Sequence, residues 1–179
     1  MPTMEEVARQ PLEQRLGRMT RTADDLATAI RGQSEAALVR RPDAKNWAAK
    51  EVVCHLRDTE ELFQLRLEMI AAMDEPMLAA AGMGARALSL KPDGQPAAPA
   101  RWAEDRQYLR NDAAEALGTF RRRREETLAH LRDLTPEQWQ RGGIHPRQGR
   151  MSVGDFVTMI AWHDDNHLDQ LRRALDGKA

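Results

Sequence analysis

The sequence predicts an all-α protein, a four-helix bundle, and two observations carry that prediction. Four stretches repeat apolar residues at alternating steps of three and four, and no stretch alternates with a period of two, so no strands are expected. Helices that each carry one apolar stripe must bury those stripes against one another, and four of them close into a bundle.

The first stretch runs Leu12, Leu16, Met19, Ala23, Leu26, Ile30, and Pro42-Asp43 with Asn46 separate it from the second. A short helical turn is expected between them, around Ala36 to Val39. The second stretch runs Val52, His55/Leu56, Thr59, Leu62/Phe63, Arg66/Leu67, Ile70, Met73. Residues 74 to 101 then collect Pro76, Gly82, Gly84, Pro92, Gly94, Pro96 and Pro99. A connection of that length is uncommon in a compact domain and tends to be functional, and it is long enough to cross over the bundle between the second and third helices. The third stretch runs Leu109, Ala113, Leu117, Phe120, Arg124, Leu128, Leu131. Thr135-Pro136-Glu137-Gln138 reads as an N-cap with proline at the first helical position. After a loop marked by Gly142, Gly143 and Gly149, Ser152-Val153-Gly154-Asp155 forms a capping box before the fourth stretch, Val153, Phe156, Ile160, His163, His167, Leu171, Ala174.

Composition narrows the function. No repeat, linker or low-complexity segment divides the 179 residues, so residues 1–179 are expected to form one domain. With 27 basic and 28 acidic side chains the net charge is -1, which excludes an electrostatic pull toward nucleic acid or an anionic membrane. Arg121, Arg122 and Arg123 therefore read as a solvated face. Cys54 is the single cysteine, which removes disulfides and cysteine-pair zinc sites and suits a reducing, cytoplasmic setting. The acidic start, Met1-Pro-Thr-Met-Glu-Glu, lacks the apolar core of a secretion signal, and no stretch nears the roughly 18 apolar residues of a membrane span.

The polar residues that interrupt the apolar stripes carry the chemistry, because a buried polar group costs free energy unless it has a partner. His163 and His167 stand four apart, about 400° of helical rotation, so their rings lie one above the other on one face. His55 holds the inward line of the second helix and can supply a third nitrogen. One histidine on an apolar face is ordinarily a hydrogen-bonded core residue. Three that converge point instead to a divalent transition metal, zinc or nickel foremost, with copper and iron also compatible. Arg124 sits in register on the inward stripe of the third helix and needs an anion. It could anchor a substrate carboxylate, or it could close a salt bridge with Asp58, Glu60 or Glu126. Cys54 projects about 100° away from His55 and reads as packing. His130 suits a helix C-terminus, and His145 lies in the loop before the fourth helix. Asp58 and Asp164 read as solvated helix residues that could alternatively orient ligand rings, while Trp47 and Trp162 read as packing.

Several segments resemble one family. Residues 46–60, from Asn46-Trp47-Ala48 through Glu51 and His55-Leu56-Arg57-Asp58, are similar to the W-[ST]-x-x-E-[VI]-x-x-H-[LI]-x-[DE] segment of the DinB/YfiT-like helical-bundle metalloproteins. His163-Asp164-Asp165-Asn166-His167-Leu168-Asp169-Gln170-Leu171 resembles that family's H-D-x-x-H-x-x-Q-[IL] ending. The spacing of Phe120, Arg124, Leu128 and Leu131, and His145-Pro146 with Gly149 to Ser152, follow the pattern between them, so the resemblance covers about residues 10 to 175. It implies that His55, His163 and His167 are metal ligands. It also implies a thiol-dependent S-transferase or isomerase, a low-molecular-weight thiol as co-reactant, a small-molecule substrate and a homodimer. The alternative is a metal- or ligand-binding bundle without turnover, or a metal-free bundle that dimerises. Ala48 departs from the pattern, leaving Glu51 without the usual hydroxyl partner of a capping box.

Overall fold

In a computed structural model, residues 1–78 and 102–179 are described. Among the described residues, eight α-helices and one hairpin follow in order: α1 (Met4–Ala8), α2 (Leu12–Ile30), α3 (Glu35–Val39), α4 (Ala49–Ala72), α5 (Trp102–Asp105), α6 (Ala113–Asp133), α7 (Pro136–Gln140), β1 (Gly142–His145), β2 (Gly149–Ser152) and α8 (Val153–Leu175). The long helices α2, α4, α6 and α8 are the four that the apolar stripes predict. The third begins later than its stripe, because Leu109 lies in a separate turn of 3₁₀-helix, Tyr108–Arg110, and Asp112 caps α6 by accepting from the Glu115 amide.

Side-chain contacts fix the helix directions. Arg15 of α2 reaches Gly154 and Thr158 of α8, and Thr22 reaches Asp164, so α2 and α8 run the same way. Arg57 of α4 bonds Asn111 just before α6, and Glu60 pairs with Arg124, so α4 and α6 also run the same way. His55 near the start of α4 meets His163 and His167 in the second half of α8, which sets the two pairs antiparallel. Two parallel neighbours, α4 and α6, cannot be joined by a tight turn. The crossover expected between them lies largely in residues 79–101, outside the described residues.

The core divides into two apolar clusters. One gathers Leu26, Val52, Leu56, Phe120, Leu168 and Leu171, and the other gathers Met19, Phe63, Leu67, Leu131, Phe156 and Ile160. Between them lies a buried polar layer of Thr22, Glu60, Arg124 and Asp164, one residue from each long helix. Arg124 donates through Nε to Glu60 Oε1 at 2.9 Å and through Nη2 to Glu60 Oε2 at 2.7 Å and Asp164 Oδ1 at 3.0 Å. Its Nη1 donates to Asp164 Oδ2 and to the Met19 carbonyl, and Thr22 donates to Asp164 Oδ2 at 2.6 Å.

Two local features differ from expectation. The loop before α8 is an antiparallel hairpin, β1 against β2, and Gly143 faces Met151 in its register. Four-residue strands that begin Gly-Gly and Gly-Arg show too little alternation to be read as strands. Their order comes from partners far away in sequence: Ile144 N donates to Pro76 O at 2.8 Å and Leu78 N to Ile144 O at 2.9 Å. At the start of α4, Glu51 still does half of a capping box, accepting from the Ala48 amide at 2.9 Å, while Arg41 neutralises its carboxylate. The expected caps at Thr135 and Ser152 are both present.

Candidate metal centre

His55 is buried on α4, and His163 and His167 lie one turn apart on α8 facing it. One nitrogen from each ring lies within 4.8 Å of the others. His55 Nε2 and His163 Nε2 are 3.3 Å apart. Two nitrogens about 2.1 Å from a shared tetrahedral ion stand about 3.4 Å apart, so this pair already has the spacing of two ligands on one ion. His167 Nδ1 donates to Gln170 Oε1 at 2.8 Å, which places its ring proton on Nδ1 and leaves the Nε2 lone pair free. The other two rings are held by packing, since neither Nδ1 has a hydrogen-bond partner among the described residues. Trp47, just before α4, lies 4.8 Å from the His55 ring and stacks within 15° of parallel over His167, while Phe63 meets His163 edge-on at 5.4 Å.

Burial determines the protonation of the cluster. It pulls His55 down to about 3, with repulsion from His167 adding to it. Burial likewise drives His163 well below its ordinary value, helped by His167, His55 and Arg124. His167 is also lowered by burial, with its Gln170 bond working the other way. All three are therefore neutral near pH 7, the form that offers a lone pair to a metal.

The remaining candidates separate clearly. Arg124 is 2% exposed, and all five of its N–H donors are taken by Glu60, Asp164 and the Met19 carbonyl. Burial works against its charge, but Asp164 and Glu60 hold its pKa above the ordinary value. The substrate-anchor reading of Arg124 is thereby corrected: the salt-bridge alternative holds, with Glu60 from the sequence-derived choices and Asp164 added. Asp164 turns away from His163 into that layer. Asp58 is buried with Arg57, Arg106 and the Tyr108 hydroxyl, and is neither solvated nor bonded to a ligand ring. Burial raises the Asp58 carboxyl, but Arg57 and Arg106 outweigh it and hold it below its usual range. Cys54 is packing as expected, its thiol pushed up to about 11 by burial. His130 falls in the last turn of α6, and His145 in β1. Sequence reasoning gave no role to Gln170, whose signal is an amide one turn after a ligand-type histidine, nor to Arg66, a cation on the inward line of α4.

A helical bundle with three neutral imidazoles converging from two antiparallel helices defines a class of candidate metalloprotein. The family model of the DinB superfamily matches residues 18–171, and the chain belongs to that superfamily. A protein of Oceanobacillus iheyensis, provisionally named a metal-dependent hydrolase, is 26% identical over 123 residues, 68% of this chain and 61% of that protein. The chain thus matches about three fifths of the length of that relative. The fold is similar to that of YfiT from Bacillus subtilis, described as a probable metal-dependent hydrolase with an unusual four-helix bundle topology: TM-score 0.75, 17% identity, 97% of this chain and 88% of that one. It is also similar to a mycothiol-dependent maleylpyruvate isomerase: TM-score 0.67, 11% identity, 96% of this chain and 63% of that one.

Proposed function

We propose that the protein is a metal-dependent enzyme whose divalent ion, zinc or nickel, is held by His55, His163 and His167, and that it transfers or isomerises a small electrophile with a low-molecular-weight thiol. The observation that carries the metal reading is the cluster of three neutral ring nitrogens within 4.8 Å, one of them fixed as a lone-pair donor by Gln170. When bound, a divalent ion here supplies a Lewis acid that lowers the pKa of a thiol or water in an open coordination position. The chain's own part is to hold the three lone pairs in place and to wall the centre with Trp47 and Phe63, which keep bulk water from the rings. Cys54 is not the nucleophile of this reading: its thiol is buried and held protonated. The thiol is therefore a diffusible one, as in the mycothiol-dependent neighbour.

A second reading, hydrolysis by activated water, is favoured by the names of the Oceanobacillus relative and of YfiT. Elemental analysis of protein purified without chelators tests the centre: close to one ion per chain is expected, absent from His163→Ala, and a metal-free native protein sinks the reading. Metal-loaded protein is then given an electrophile panel with glutathione, mycothiol or bacillithiol, beside ester and amide substrates without thiol. Metal-dependent turnover only with a thiol supports transfer. Turnover without thiol supports hydrolysis, and no turnover leaves a binding protein.

A further inference from the structure

Among the described residues two arginines are buried, Arg66 and Arg124. Arg124 is neutralised by Glu60 and Asp164, and the half-buried Arg57 and Arg18 have Asp58 and Asp25. Arg66 differs from Arg124. Its residue is 6% exposed, its Nε has no hydrogen-bond partner, and no salt bridge reaches it among the described residues. Burial alone lowers its guanidinium to about 10, so the group is still a cation at neutral pH. An unpaired buried cation costs several kcal/mol unless something supplies the anion.

Its position shows where that anion belongs. His55, Thr59, Leu62 and Arg66 lie on one line of α4, because eleven residues turn the helix through about 1100° and return to within roughly 20° of the start. Arg66 therefore shares the His55 line of α4, about 16 Å further along the axis, with Phe63 packed on His163 between the two levels. His145 lies on β1, which packs against α4, and its pKa is lowered by burial first and then by the charges of Arg66 and Arg147. Its Nδ1 accepts from the amides of Arg147 and Gln148 at 3.3 Å each, which puts the ring proton on Nε2 and makes that atom a donor. One planar guanidinium plus one neutral N–H matches a single carboxylate, where a phosphate dianion would leave buried negative charge uncompensated.

We propose that Arg66, with His145 beside it, binds a carboxylate of the ligand whose other end reaches the three-histidine centre. The inference rests on the metal reading above and names the substrate class for it: an elongated, carboxylate-bearing molecule. Arg66 is a binding residue here, not a structural one.

The test uses cobalt-loaded protein, in which a coordinated thiolate gives a charge-transfer band. Mercapto-carboxylates from mercaptopropionate to mercaptooctanoate are titrated against the matching mercapto-alcohols, with binding followed by the band and by calorimetry. Wild type is expected to prefer the acid by at least about tenfold at one or more chain lengths. Arg66→Gln should lose that preference while its cobalt content and alcohol binding stay unchanged. Arg66→Met should melt no lower than wild type, since it removes an unpaired charge. Equal binding of acid and alcohol by wild type, a preference that survives Arg66→Gln, or a large fall in melting temperature of Arg66→Met overturns the assignment. An Arg66-dependent acid preference seen by calorimetry without any cobalt band supports the anion site and counts against the metal reading alone.

Discussion

Replacing Arg124 by Met should be among the most damaging single substitutions in this protein, and the structure sets the scale. The guanidinium lies between Glu60 and Asp164, which are 1% and 0% exposed, and it makes four bonds to carboxylate oxygens and one to the Met19 carbonyl. Methionine has similar volume but no donor, so two carboxylates are left facing each other without a cation. Removing one member of a buried ion pair costs about 3–5 kcal/mol, and here two anions are stranded. For a chain of this size that corresponds to a fall in melting temperature of roughly 6–20 °C. The cost should shrink in acid, because the stranded carboxylates can take up protons and become neutral. The assay is urea unfolding of chelator-treated wild type and variant, followed by circular dichroism at pH 7.5 and 5. A loss of less than about 1 kcal/mol, or a difference that does not narrow at the lower pH, would refute the assignment of Arg124 as the neutralising cation of the layer. Replacing Arg124, Glu60 and Asp164 together by apolar residues should recover most of the lost stability.

Three further outcomes are expected. Gln170→Leu frees the His167 ring and should weaken metal affinity by about 10- to 100-fold in a chelator competition; unchanged affinity would remove Gln170 from the centre. Metal-free protein should lose stability as pH falls below about 6.5, because the unfolded chain then binds protons that His55, lowered to about 3, refuses while folded. That histidine alone contributes a slope of up to about 1.4 kcal/mol per pH unit toward acid, and a flat profile of melting temperature between pH 7 and 5 would contradict the buried neutral cluster. Gly143→Ala places a Cβ 2.7 Å from Leu78 Cδ1 and 2.9 Å from Pro76 O, so it should destabilise by about 1–3 kcal/mol in thermal melts while leaving metal content intact.

The long helices and the histidine cluster were legible because both depend on local periodicity. Leu12 to Ile30 and Val153 to Ala174 mark α2 and α8 almost to the residue, and a separation of four brings His163 over His167 wherever that helix packs. What escaped were choices among long-range partners. Arg124 announced that it needed an anion, yet Asp164 is 40 positions away on another helix and looked solvated beside His163. The hairpin escaped for the same reason: its strands are too short to carry a pattern, and Pro76 to Leu78 order them from across the sequence. Arg66 stood on the inward line from the start, but only the missing partner at its buried Nε set it apart from an ordinary snorkelling side chain.

The adjacency of His163 and Asp164 has a mechanical consequence. The two side chains leave α8 about 100° apart, one toward the candidate ion and the other into a layer anchored on α2, α4 and α6. Turning α8 about its own axis would drag Asp164 off Arg124 and Thr22 before the imidazoles had swung far. A ligand set tolerates only about 10–20° of misalignment. The buried charge thus acts as a key in a slot, setting the rotational phase of the helix that presents two of the three nitrogens. An ion that prefers a different coordination angle would have to be accommodated by side-chain torsions, with the helix itself locked.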